Sequence, residues 1–318
     1  MIMYAVTLEQ FGGPEVLRFR RIHDPTPGPG QVLVSVKFAS ITFVETQVRA
    51  GRGPAAKARP PLPMVPGNGV GGRIVATGPQ VDPALSGTVV VTTTGGSGGY
   101  AQLAVAEATN CVPVPAGMLL RDAVALLADG RTAVLLHRRA QVRPGEWVLV
   151  EAAGGGVGSL LVQLAVDSGA RVIGAARGKG DLITSLGAAH YVDYTRPAWE
   201  REVVDLTGGA GADVVFDGIG GDVGAQGLAA VRAGGRVSIY GMAAGSFTRP
   251  DHQIRVVDNG TAPTAAEARA LTEQALVLAI RGRLRAVVGQ TFPLAEAAAA
   301  HRAIEERRTV GKTLLVVS

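Results

Sequence analysis

Between a short apolar run, Trp147-Val148-Leu149-Val150, and a helical pattern that starts near Ser159 lies the string Ala152-Ala153-Gly154-Gly155-Gly156-Val157-Gly158. No other segment limits the fold so tightly. Small residues at a strand-to-helix turn let backbone come close to a bound group, and the helix start offers unpaired N–H donors to negative charge. Ala153 stands where the strict fingerprint has its first glycine, so the strand–turn–helix setting carries more weight than the string itself. A tight turn with no ligand is the simpler alternative.

The surroundings extend that setting. Short strands are expected at Arg171–Gly174, Asp213–Asp217 and Arg236–Tyr240, and helices at Arg121–Gln141, Ser159–Ser168, Gly180–Leu186 and Val223–Val231. Regular strand–helix alternation argues for a parallel sheet covered on both faces. The N-terminal region reads differently. Gln31 to Lys37 alternates polar and apolar residues as a half-buried strand does, and the Gly/Pro clusters at 25–30 and 95–99 are turn chemistry. Arg52 to Pro66 is expected to be a long irregular connection. After residue 265 come a helix (Ala265–Arg281), the strand Val287-Val288-Gly289, another helix and a last strand, Thr313–Val317. A chain of 318 residues exceeds one core. The expected division is a β-rich domain of residues 1–120 with 261–318, and an α/β domain of residues 121–260.

Several functions are disfavoured by composition. The single cysteine, Cys111, can form no internal disulfide and no multi-thiolate zinc site, and the five histidines lack ligand spacing. No metal is expected. The net charge of +5 is dispersed, without a basic run interleaved with aromatics, so nucleic acid is not an expected partner. No apolar run approaches the roughly 20 residues of a membrane span. The start, MIMYAVTLEQFGG, lacks a basic segment followed by an apolar one, and a cytoplasmic location is expected.

The end of the second α/β strand selects the cofactor. An acid there holds the ribose 2′-hydroxyl of NAD. This chain reads Gly174-Ala175-Ala176-Arg177-Gly178-Lys179, with two cations where a 2′-phosphate would lie. The expectation is NADPH, with solvated surface charges as the alternative.

With these motifs stand Phe11-Gly12-Gly13-Pro14-Glu15-Val16-Leu17, Leu186-Gly187-Ala188, Phe216-Asp217-Gly218-Ile219-Gly220 and Gly311-Lys312. Together they resemble the zinc-free quinone oxidoreductase branch of the medium-chain dehydrogenases/reductases along essentially the whole chain. The resemblance implies a GroES-like catalytic domain completed by the C-terminal tail, a doubly wound Rossmann domain, a cofactor between them and a homodimer. It assigns Gly155, Gly156 and Val157 to the pyrophosphate, and Lys179 and Tyr194 to the 2′-phosphate. Thr132, Tyr240 and Met242 fall to the nicotinamide side, Ile219 to the cofactor, and Lys312 to the pyrophosphate. Arg177 is added from the charge argument alone.

The chain also departs from its relatives. Thr42 and Gln47 replace a common Asn and Tyr, and Gly69 replaces an acid. Thr42 is the expected catalytic hydroxyl, contacting the substrate oxygen or the nicotinamide ribose; a buried threonine bonded to backbone is the alternative. Three functions follow: hydride transfer from NADPH to a quinone or other conjugated carbonyl, reduction of an enone or enoyl thioester in biosynthesis, or non-catalytic NADPH binding.

Overall fold

Strand pairing in the computed structural model, which describes residues 1–53 and 59–318, follows different rules on either side of Ala128. One compact unit comprises Met1–Ala128, Pro263–Ile280 and Ala286–Ser318; the other comprises Asp129–Ala262 and Arg281–Arg285. Part of the irregular connection expected over Arg52–Pro66 lies outside the described residues.

The first unit is antiparallel over most of its length. β1 (Ile2–Leu8) and β2 (Leu17–His23) form a ribbon. β3 (Gln31–Ile41) is the spine of the main sheet and is followed by α1 (Phe43–Ala50). β4 (Gly69–Thr77) pairs with β3, β5 (Val89–Thr93) with β4, β6 (Leu103–Glu107) with β3 and β7 (Val112–Pro113) with β5. The expected alternation of burial holds along Gln31–Lys37, after which Ala39, Ser40 and Ile41 are all buried. There β3 passes under the core formed with Val6, Leu8, Val36 and Tyr100.

The second unit obeys the parallel rule. The division falls within α2 (Leu120–Ala140). Then come β8 (Trp147–Glu151), α3 (Gly156–Asp167), β9 (Arg171–Ala175), α4 (Gly180–Ser185), β10 (His190–Val192), α5 (Trp199–Leu206), β11 (Ala212–Asp217), α6 (Gly221–Ala229), β12 (Val231–Ile239) and β13 (Arg255–Val256). All pairings are parallel, in the order β10-β9-β8-β11-β12-β13. This is the doubly wound Rossmann order, and its direction reverses between β8 and β11. Two differences from expectation have local causes. The helix expected at Val223–Val231 starts earlier, because Asp217 anchors the turn before Gly221, and Val231 already belongs to β12. β10 and α5 had no clear period because they are only three and eight residues long.

The chain then rejoins the first unit. α7 (Ala265–Ile280), β14 (Val288–Pro293), α8 (Ala297–Glu305) and β15 (Lys312–Val316) follow in order. β15 joins β3 antiparallel, with Thr313 opposite Ile41, and β14 pairs parallel to β15. This places the tail in the first unit.

α8 also brings a buried polar group into that core. His301 is fully buried, with its Nε2 3.0 Å from the Tyr100 hydroxyl. Nearby Arg49, likewise buried, pairs with Glu305. Burial first, and the Arg49 charge second, push the His301 pKa down to about 3. An unfolded histidine titrates near 6.5. Above that pH neither state gains a proton; below it the unfolded chain does and the folded one does not. Acidification from pH 6.5 to 5 should therefore remove about 2 kcal/mol of stability through this group. Urea unfolding of wild type and His301→Asn across that range measures it as a wild-type stability that falls relative to the variant's as pH drops, and a constant difference would refute a neutral His301.

Candidate functional site

In the parallel sheet every strand points the same way, so the loops leaving β8, β9, β11 and β12 gather along one edge. The glycine loop leaves β8. Ala152 turns the chain in the left-handed region at φ 51°, and Ala153 N–H donates to Ala175 across the sheet at 3.1 Å. α3 starts at Gly156, with Gly155 as an N-cap that has no side chain to bond the first-turn N–H groups. A methyl on Gly158 would run into the Ala152 carbonyl, which is backbone and cannot give way.

The loop after β9 leans on this one. A methyl on Gly154 would lie 2.5 Å from Lys179 Cδ, so the aliphatic stem of Lys179 covers the glycine. Lys179 is half-buried, sits in the left-handed region at φ 72°, and has its pKa lowered by burial. Arg177, two residues earlier, is exposed. The Tyr191 hydroxyl donates to the Ala176 carbonyl at 3.1 Å and so pins the start of this loop. Tyr194 packs edge-on to Trp199 with ring centroids 6.5 Å apart.

Asp217, at the end of β11, ties the other two loops together. Its Oδ1 accepts from Ile219 N–H at 2.9 Å and Gly220 N–H at 2.8 Å, while Oδ2 accepts from the Thr248 hydroxyl. Its own carbonyl accepts from Tyr240 N–H and Gly241 N–H. Ala244 N–H donates to Ile219, and Gly221 N–H to Ser246. Asp217 thus orders Ile219 and Gly220 through its carboxylate, and Tyr240 and Gly241 through its main-chain carbonyl.

Beside it stands Glu151, the last residue of β8. It is completely buried, and the polar group against its carboxyl is that of Asp217. Burial, reinforced by the neighbouring Asp217 charge, raises its pKa well above the carboxylate range. The Tyr240 hydroxyl is held up by burial and by the charges of Glu151, Asp217 and Asp129. Asp129 lies against Gly156, where a methyl would collide with its carboxylate. Thr132, on α2, is half-buried.

Thr42 and Lys312 belong to the first unit. Thr42 is the N-cap of α1, in a capping box with Glu45. Its hydroxyl donates to Glu45 Oε2 at 3.1 Å, and Glu45 Oε1 accepts from Asn68 N–H at 2.8 Å. Desolvation raises the Glu45 pKa, against these bonds and the Lys312 charge. Lys312 is buried, and the pairing of Thr313 with Ile41 brings it next to Thr42. The Thr42 hydroxyl therefore has a structural task at a helix end. Sequence reading passed over Glu45, Asp129, Glu151 and Asp217. A buried strand that ends in an acid, as β8 and β11 both do, was the signal available for the last two.

Two family models match the chain: the alcohol dehydrogenase GroES-like domain over residues 28–116, and a zinc-binding dehydrogenase over residues 186–315. A quinone oxidoreductase of Pseudomonas aeruginosa is 33% identical over 96% of this chain and 97% of its own. A 2-haloacrylate reductase of a Burkholderia species is 33% identical over 99% of both. A mycobacterial protein solved with NADPH superposes with a TM-score of 0.88 at 30% identity, covering 99% of each chain. The zinc in the second family description finds no matching donor set here. Among the described residues no three His, Cys, Asp or Glu side chains are grouped to hold a metal, and Cys111 is buried in a core cluster.

The steric account of the glycine loop separates two of its members. Gly158→Ala should cost about 1–3 kcal/mol by overpacking against backbone. At Gly155 the backbone is extended and a methyl would meet only the Ala152 carbonyl at 3.2 Å, so Gly155→Ala should stay within about 1 kcal/mol of wild type. Equal unfolding midpoints in urea would refute the distinction.

Proposed function

The chain belongs to the quinone oxidoreductase branch of the medium-chain dehydrogenase/reductase family, and on that footing we propose that it is an NADPH-dependent reductase of quinones or other conjugated carbonyl compounds. The observation that carries the cofactor is the cation over the glycine loop. Lys179 covers Gly154, and β9 ends in Ala175, followed by Ala176, with no acid at the strand end. The loop suits a pyrophosphate: it is narrow, glycine-lined, and opens on the first turn of α3.

In this reading Gly156 and Val157 take the pyrophosphate through backbone N–H groups, and Gly155, whose own N–H donates to the Ala152 carbonyl at 2.8 Å, lets it come close by lacking a side chain. Lys179 and the exposed Arg177 take the 2′-phosphate, with Tyr194 alongside. Ile219, Tyr240, Met242 and Thr132 border the nicotinamide. The bound cofactor would supply a hydride to an electron-poor carbon, and the protein's part is to hold donor and acceptor in register and exclude water. We assign no proton transfer to Thr42, whose hydroxyl is held by Glu45.

A second acceptor class has its own support. A side chain at Gly69 would crowd Ser40 Oγ and Leu127, so the acid common in relatives has no room there. That altered pocket, together with Thr42 and Gln47, favours an enone or a conjugated acid or thioester as the alternative to a quinone. NADPH binding without turnover is the third reading.

Parallel assays of NADPH and NADH oxidation, with naphthoquinone, phenanthrenequinone and a simple enone, test the proposal. Turnover is expected with NADPH and little with NADH. Lys179→Ala should weaken NADPH at least about tenfold, consistent with a charge-assisted bond, and leave NADH nearly unchanged. Arg177→Ala should have the same selectivity with a smaller effect. Equal losses for both cofactors would remove the phosphate assignment.

We also propose a homodimer. β13 is the outermost strand of the six-stranded sheet, with Val256 exposed, an edge able to pair with its twin across a two-fold axis. Sedimentation at micromolar concentration should give a dimer; a monomer would defeat this.

A further inference from the structure

We propose that Glu151 is a positioning residue whose carboxyl group must carry a proton for the loops around Asp217 to hold NADPH. The inference rests on the cofactor reading above. Geometry supplies the argument. β8 and β11 pair in parallel with Val150 opposite Phe216, so Glu151 and Asp217 end side by side at the point where strand order reverses. Both are fully buried. Asp217 spends its oxygens on Ile219, Gly220 and Thr248, and so needs to remain an acceptor. A second negative charge beside it, away from water, would oppose that arrangement strongly.

The groups facing Glu151 offer no relief. Below it lies α6, where Gly227 leaves room that any side chain would take from Glu151 Oε1. Asp217 faces it from β11, and Tyr240, itself held in its neutral form, follows β12. Asp129 adds further negative charge near Tyr240. Glu151 therefore stays neutral at pH 7. In alkali its proton leaves to solvent, the charge repels the Asp217 carboxylate, and the turn through Ile219 and Gly220 that this carboxylate holds loosens.

The test is NADPH affinity, read by cofactor fluorescence from pH 7 to 10, on the wild type and Glu151→Gln, which keeps the shape and cannot ionise. Wild-type Kd should rise about tenfold per pH unit above the Glu151 midpoint, and Glu151→Gln should lose that rise. Lys179 also loses charge in alkali, so equal slopes in the two proteins would assign the effect to Lys179 and overturn the proposal, as would a flat wild-type profile. Infrared spectra of the ligand-free protein supply an independent readout. A carbonyl band from protonated carboxyl groups should be present at pH 7 in the wild type and weaker in Glu151→Gln by the Glu151 share; a band unchanged by that substitution overturns the proposal. Should Glu151→Gln not fold, the wild-type band, after subtraction of the Glu45 contribution with Glu45→Gln, must titrate at the same pH as the affinity, and separate midpoints overturn the proposal. No NADPH binding at any pH would overturn it through its premise, with the band showing which part had failed.

Discussion

The second unit depends on one constraint: all six strands of its sheet run parallel, so their carboxyl ends open on a single edge. Connections leave that edge in opposite directions from β8 and β11, and a crevice results where they part. Everything placed at the ends of those two strands then shares one small, dry space. Glu151 and Asp217 occupy it, and the glycine loop and the Asp217 loop grow from it. A carboxylate there is tolerable because backbone N–H groups and a hydroxyl surround it. A second one is tolerable only as an acid.

The first unit solves a similar problem differently. His301 is buried next to Tyr100 and within reach of the Arg49 charge, so its ring is held neutral. Arg49 keeps its charge by pairing with Glu305 at the end of α8. In each unit an ionisable group is carried into the interior in its uncharged form beside a charged neighbour that is bonded elsewhere. The signs are opposite: acid destabilises the histidine site, and alkali the glutamic acid site. Between the two lies the pH range in which both units keep their interior bonding.

Much of the candidate site could be read along the chain because its parts are local. A glycine loop declares itself by spacing, and Arg177 and Lys179 declare themselves by following a strand that lacks an acid. Other assignments needed the fold. Thr42 reads as a free hydroxyl in one dimension, yet three residues later Glu45 closes a capping box on it. Lys312, which the resemblance gives to the pyrophosphate, shows nothing of its surroundings along the chain, and the antiparallel register of β15 on β3 buries it beside Thr42. The short elements β10 and α5 went unread since three and eight residues are too few to display a period.

By itself, the amino-acid sequence determined the parallel architecture of the second unit, the strand–loop–helix cradle and the two cations that follow β9 where an acid is missing. Those properties depend on hydrophobic period and on residue type at positions a few residues apart. Only the tertiary structure decided which acids matter. Glu151 and Asp217 are 66 positions apart in sequence, and nothing local couples them; the ladder between β8 and β11 makes them neighbours and removes the water that would otherwise let both ionise.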